Sequence, residues 1–268
     1  MYPTTYVRPA TLPEAVALLE EHPEAKALAG GMTLVPTLKQ RLSAPSHLVD
    51  VTRLPELQGV AVVNGVLRIG AATRHADVAR SAAVRTSVPA LARLASLIGD
   101  QQVRNRGTLG GSVANSDPAA DYPAAVVGLG ATVVTDRRRI AADDYFVGMF
   151  ETALEPSEVI VAIEFPLPRR AAYEKQPHPA SGYAVAGVFV AETATGVRVG
   201  VTGAGPCAFR WKEAEQRLSA SMNATALEGL RPAADGLNED ISASAEYRAH
   251  LVATLARRAL ASLAAGAH

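Results

Sequence analysis

The sequence predicts an α+β chain built in two parts. Strand-like runs come in pairs closed by turn signals, helical patterns come in blocks between them, and the regular strand–helix alternation of a doubly wound sheet is missing. A length of 268 residues exceeds the usual single domain, and 49% apolar with 19% charged residues allows a substantial core and excludes a disordered chain.

The elements follow in order. Thr11 and Glu14 have capping-box spacing, so a helix begins there, with Leu12, Ala15, Val16 and Leu19 at helical intervals. A short strand over residues 25–29 runs into the turn Gly30-Gly31, residues 48–51 form another, and Pro55 marks a loop. Residues 60–71 read as a hairpin, because apolar runs flank Asn64-Gly65, the dipeptide that best tolerates the positive φ of a two-residue turn. One helix follows from about Asp77, and another contains Leu91, Leu94, Ala95 and Ile98. Residues 99–121 show little periodicity and much Gly, Asn and Asp, which predicts a long loop of the kind that often carries function. Residues 131–135 and 159–165 read as strands, with Arg137-Arg138-Arg139 as a solvated hairpin tip. Pro166, Pro168, Pro177 and Pro179 punctuate the chain and place a boundary near residue 172. Beyond it come strands at 183–191 and 197–202 turned at Thr195-Gly196, a helix through Trp211, Ala214 and Leu218, and an alanine-rich helix over 245–263.

Composition narrows the function. Lys+Arg and Asp+Glu both number 26, and zero net charge argues against nucleic-acid binding, which draws its affinity from excess cations. Neutrality also gives weak support to a subunit that lives in a complex. The first residues lack the basic start and apolar run of a targeting segment, and the weakly polar stretch 124–134 falls well short of the roughly 20 residues that span a bilayer. A cytoplasmic location is expected, with any membrane association made through partners. The single cysteine, Cys207, excludes an internal disulfide and an all-cysteine iron–sulfur or zinc site, and reads as a small buried apolar residue. His22, His47, His75, His178, His250 and His268 do not cluster at ligand spacing, so no metal site is expected.

Two segments carry the chemistry. The first is Ala29-Gly30-Gly31-Met32-Thr33-Leu34; the second begins Thr108-Leu109-Gly110-Gly111-Ser112 and continues to Asp117 and Asp121. Glycine removes the Cβ and lets main-chain N–H groups approach an anion, and Thr33, Thr108 and Ser112 add hydroxyl donors. Such bends suit a pyrophosphate, but a glycine pair also serves ordinary turns, and composition leaves the two readings evenly matched. Neither G-x-G-x-x-G after a strand nor G-x-x-x-x-G-K-[ST] is present, so any nucleotide site uses another scaffold. Asp117 and Asp121 could pair for acid–base work, but Asp-Pro is a common turn starter, and Asp121 better suits a sugar hydroxyl.

The chain resembles the FAD-binding medium subunit of the molybdenum hydroxylases, the xanthine dehydrogenase and aerobic carbon monoxide dehydrogenase family. The resemblance rests on Ala29-Gly30-Gly31-Met32-Thr33-Leu34-Val35-Pro36, on Gly99-Asp100-Gln101-Gln102-Val103-Arg104-Asn105-Arg106-Gly107-Thr108-Leu109-Gly110-Gly111-Ser112, and on Asp117-Pro118-Ala119-Ala120-Asp121. Tyr173-Glu174-Lys175, Ser181-Gly182-Tyr183-Ala184 and Gly203-Ala204-Gly205-Pro206 extend it across essentially the whole chain, most strongly towards the carbon monoxide dehydrogenase branch. It implies an FAD-binding domain of the vanillyl-alcohol-oxidase/PCMH type over 1–171, with subdomains of about 1–56 and 57–171, and a C-terminal α+β domain over 172–268.

By position, the resemblance implies that the two glycine segments hold the pyrophosphate and ribose, and that Asp121 accepts from a ribitol or ribose hydroxyl. Ile98 would pack near the adenine or ring system, Ile160 near the adenine, Lys175 by the polar edge of the flavin, and Tyr183 against the isoalloxazine. Lys175 also has the plain reading of a solvated side chain, Asp117 that of a turn, and Arg104 and Arg106 that of surface residues. Met32 stands where relatives often carry a polar residue. The resemblance further implies an oxidoreductase subunit that takes electrons from 2Fe–2S clusters on a small partner, themselves fed by a large subunit with the molybdenum cofactor. FAD then serves an external acceptor, in a dimer of heterotrimers. The rival readings are a self-sufficient flavin oxidase or reductase and a non-catalytic nucleotide-binding assembly module.

Overall fold

The computed structural model describes residues 1–265; His268 lies outside the described residues. The N-terminal part is a three-stranded parallel sheet made by β1 (Thr5–Val7), α1 (Leu12–Glu21), β2 (Lys26–Leu28), α2 (Leu34–Lys39) and β3 (His47–Asp50), in the strand order β1-β3-β2. In this small parallel unit strand and helix do alternate. Thr11 caps α1 by accepting from the Glu14 N–H, while the Glu14 carboxylate reaches back to the Ala10 N–H at 2.7 Å, one residue earlier than a strict capping box.

A five-stranded antiparallel sheet follows, with the order β4-β5-β10-β6-β7. Its first hairpin, β4 (Val60–Val63) and β5 (Val66–Gly70), turns at Asn64 and Gly65, whose φ angles of 51° and 75° are the left-handed values this turn demands. Between β5 and the rest of the sheet lie α3 (His75–Arg80), α4 (Ala82–Ser87), α5 (Pro89–Ser96), α6 (Gln101–Arg104), α7 (Leu109–Asn115) and α8 (Tyr122–Leu129). Next come β6 (Thr132–Thr135), β7 (Arg139–Ala141), α9 (Ala142–Tyr145), the small hairpin β8 (Phe146–Gly148) and β9 (Glu151–Thr152), and β10 (Ile160–Pro166).

Several expectations change here. Residues 99–121 are not one loop: Asp100 caps α6 and Thr108 caps α7, each accepting from the N–H three residues on. Glycine content hides α7, which tertiary packing stabilises against its poor propensity. Pro55 opens a single 3₁₀ turn, Pro55–Leu57. The arginine tip is exposed at the β6–β7 hairpin, as expected, and is also ion-paired. Arg137 reaches Glu20 at 2.9 Å, Arg139 pairs with Glu164, and Arg138 meets Glu158 at 2.9 Å, where the glutamate side chain is fully buried.

The last sheet is antiparallel, in the order β11 (Arg170–Pro177), β12 (Ala184–Thr193), β13 (Gly196–Thr202) and β14 (Phe209–Arg210), and carries α10 (Lys212–Ala220) and α11 (Ala245–Ala264). The chain changes sheet between Pro166 and Arg170, and residue 172 lies inside β11. β12 is buried on both faces: Phe189 belongs to the core that holds α8, and Val188 and Val190 belong to the core under α11. That explains why its sequence is almost continuously apolar. α8 is buried on every side, and a Cβ on Gly200 of β13 would overlap its backbone, so helix and strand pack main chain to main chain. No helix among the described residues is long and apolar enough to cross a membrane.

Candidate cofactor site

The first glycine segment links β2 to α2. Gly31 takes φ +72°, which turns the chain sharply after the strand, and Thr33 caps α2 without a side-chain hydrogen bond. Among the described residues, no acceptor takes a hydrogen bond from the N–H of Gly30, Gly31, Met32, Thr33 or Leu34. Five successive free donors in a half-exposed bend form a concavity suited to an anion.

The second segment behaves differently. Gly110 and Gly111 lie in the first turn of α7, and its leading amides are already engaged. Leu109 donates to the Thr73 carbonyl, Gly110 to Ala71, Gly111 to the Thr108 hydroxyl and Ser112 to the Thr108 carbonyl. A Cβ on Gly110 would overlap Ala71, so this glycine lets α7 seat on the strand end before it. The two segments touch. A Cβ on Gly30 would lie 2.6 Å from the Gly107 Cα and overlap the Arg106 carbonyl, and one on Gly111 would lie 3.5 Å from the Ala29 Cβ.

Asp121, Tyr173 and Lys175 form a buried cluster at the start of α8. The Tyr173 hydroxyl donates to Asp121 at 2.6 Å, and the Lys175 ammonium contacts the same carboxylate at 2.8 Å and donates to the Leu97 carbonyl at 3.0 Å. Lys175 and Asp121 side chains are only 3% and 4% exposed, so the lysine is not a solvated surface residue. Burial pushes the Asp121 carboxyl above its ordinary range, with the Lys175 ammonium and the Tyr173 hydroxyl pulling against that push.

Asp117 accepts from the Ala119 N–H at 2.9 Å, the local turn that Asp-Pro suggests. Burial raises its pKa. Tyr183, 45% exposed, lines a cavity of about 490 Å³ with Asp117, Phe150 and Arg248; neither glycine segment lines that cavity. Ile98 is half-buried against the first core, and Ile160 is 5% exposed within it. The Arg104 guanidinium donates to the Ile98 and Gly99 carbonyls, so it braces its own turn, whereas Arg106 is exposed. Cys207 is half-buried, its thiol raised by burial. No group of three or more metal-ligating side chains occurs among the described residues. Sequence reasoning missed His75, which is buried behind Gly107. It also missed the role of Tyr173 as the partner of Asp121; the Tyr-x-Lys spacing on one strand face was the available signal.

The free amides and the absence of any Cβ at Gly30 and Gly31 fit a dinucleotide diphosphate. Residues 2–168 match the family model of the FAD binding domain in molybdopterin dehydrogenase. The chain belongs to this family. It is 36% identical over 274 residues to the carbon monoxide dehydrogenase medium chain of Hydrogenophaga pseudoflava, with 95% of each chain covered. It is 39% identical over 200 residues to the glyceraldehyde dehydrogenase medium chain of Sulfolobus acidocaldarius, covering 71% of each. Its fold matches quinoline 2-oxidoreductase from Pseudomonas putida 86 with a TM-score of 0.89 and 30% identity, covering 100% of this chain and 99% of that one. The chain is therefore an FAD-carrying, electron-transferring oxidoreductase subunit of the molybdenum hydroxylase family, and its relatives are medium chains of multi-subunit complexes.

Proposed function

We propose that this chain, in the cytoplasm, receives electrons from 2Fe–2S clusters on a small partner subunit that a large molybdenum subunit supplies, and delivers them to an external acceptor. The assembly we propose is a dimer of heterotrimers. Bound FAD supplies the exchange between one-electron and two-electron carriers. The observation that carries the reading is the run of five unpartnered N–H groups from Gly30 to Leu34.

In this reading Ala29, Gly30, Gly31, Met32, Thr33 and Leu34 grip the diphosphate with main-chain donors, and the Thr33 hydroxyl adds one more. Thr108, Leu109, Gly110, Gly111 and Ser112 form the opposite wall. Their engaged amides make it a rigid support, to which the Ser112 hydroxyl contributes. Asp121 and Lys175 face the ribitol and the polar flavin edge as one prebuilt ion pair, so little ordering remains to be done on binding. Ile160 supplies apolar contact for the adenine and Ile98 for the adenine or the ring system, Tyr183 shields the isoalloxazine, and Asp117 holds the turn against which the strand after Tyr183 starts. A division of the chain into 1–171 and 172–268 belongs to the same reading and is supported by the change of sheet between Pro166 and Arg170.

Gly30→Ala tests the cradle, because its Cβ would meet the Gly107 backbone and prise the two segments apart. FAD affinity should fall by about tenfold or more, roughly 1.4 kcal/mol, by fluorescence titration; an unchanged affinity would overturn the assignment. Purification of the chain under native conditions should recover a cluster-bearing and a molybdenum-bearing partner, and recovery of the chain alone would refute the subunit reading.

A further inference from the structure

A side chain outside both glycine segments packs against the stretch where they meet. The chain from Ala71 to His75 runs antiparallel to the chain from Gly107 to Gly110. Gly110 donates to the Ala71 carbonyl at 2.8 Å, Leu109 to Thr73 at 3.0 Å, and the His75 N–H to Gly107 at 2.9 Å. His75 then folds its ring onto Gly107, where a Cβ would lie 2.5 Å from Nε2 and 2.8 Å from Cδ2. Gly107 also abuts Gly30, whose Cβ would lie 2.6 Å from the Gly107 Cα. The His75 ring therefore touches Gly107, and Gly107 in turn touches Gly30.

Packing alone does not account for an imidazole here. The ring is 5% exposed and lies 5.3 Å from the Tyr122 ring, and both its Nδ1 and the Tyr122 hydroxyl are buried without a hydrogen-bond partner. An apolar side chain would fill the space without leaving a polar atom unsatisfied. Such residual cost is characteristic of places that serve a site rather than stability.

We propose that His75 is a positioning residue for FAD: its ring, wedged behind Gly107, sets the gap in which the diphosphate is held. The inference rests on the assignment of the glycine segments to the diphosphate. Burial, with the Arg104 cation nearby, keeps the pKa of His75 at about 4, so the wedge is neutral and unchanged at ordinary pH.

The test is a set of FAD and riboflavin titrations on the full chain. His75→Ala should weaken FAD by about tenfold or more and leave riboflavin, which has no diphosphate, unchanged. His75→Phe should restore FAD binding, and Gly107→Ala, which alone should weaken FAD, should be tolerated when combined with His75→Ala because the space has been vacated. Unchanged FAD affinity in His75→Ala, equal loss of both flavins, or no compensation in the double variant would overturn the proposal. If His75→Ala does not fold, Gly107→Ala reads the same gap from the other side, and unaltered FAD affinity there overturns it. Gly30→Ala separates the two readings: if it weakens FAD while His75→Ala does not, only the wedge fails.

Discussion

Asp121 shows how much a single buried carboxylate does in this chain. It takes Tyr173 and Lys175 from β11 at the start of α8, and so fastens the last sheet to the candidate cofactor site. Asp121→Asn would leave a buried ammonium without its counter-charge, and breaking a buried ion pair in this way costs about 3 kcal/mol. We expect a loss of that order in urea denaturation, with weaker FAD binding; a change below about 0.5 kcal/mol would mean that the pair is not structural. His75 gives a pH dependence of known sign. Burial, and then Arg104, lower its pKa from 6.5 to about 4. The unfolded chain therefore takes up the proton first, and the stability present above pH 6.5 drains as pH falls towards 4. The full effect is about 3 kcal/mol. Denaturation curves across that window should show this loss in the parent and less of it in His75→Phe; identical profiles would remove His75 as the cause.

Among the elements, α7 is the clearest case of a helix made by its setting. Its sequence, with two adjacent glycines, is a poor helix former, but the Thr108 hydroxyl caps it and three strand-like hydrogen bonds to the stretch before α3 fix its start. Thr108→Ala should cost about 1 kcal/mol of stability and weaken FAD, measured by thermal melting with and without the cofactor. The β6–β7 tip makes the opposite point. Against the push of burial, the Arg138 guanidinium, the Glu155 N–H and the Thr135 hydroxyl hold the Glu158 carboxyl down at about 2. Arg138→Ala strands that carboxylate, and we expect a loss of stability in urea denaturation with FAD affinity unchanged; an unaltered denaturation midpoint would show that the pair contributes nothing.

Across the whole molecule, what could be read in advance follows the range of the interactions involved. The hairpin at Asn64-Gly65, the capped α1, the β12–β13 pair and α11 are coded locally, by turn chemistry, caps and periodicity, and they stand where the sequence puts them. α8 was illegible because a helix buried on every side has no polar face, and α7 because packing overrides its propensity. The same divide runs through the site. Both glycine segments are visible as motifs, yet only three-dimensional contact reveals that one offers free amides while the other's bond the Ala71–Thr73 stretch and the Thr108 cap. The Asp121–Lys175 pair and the His75 wedge join residues far apart in the chain, and no local pattern encodes them.

In the function proposed above, free main-chain donors at Gly30–Leu34 hold a diphosphate. The most direct measurement compares the affinity of the full chain for FAD with that for riboflavin, in the parent and in Gly30→Ala. FAD should bind about a hundredfold more tightly than riboflavin in the parent, and most of that difference should vanish in the variant. Equal binding of the two flavins by the parent, or a preference for FAD that survives the substitution intact, would rule out Gly30–Leu34 as the diphosphate cradle.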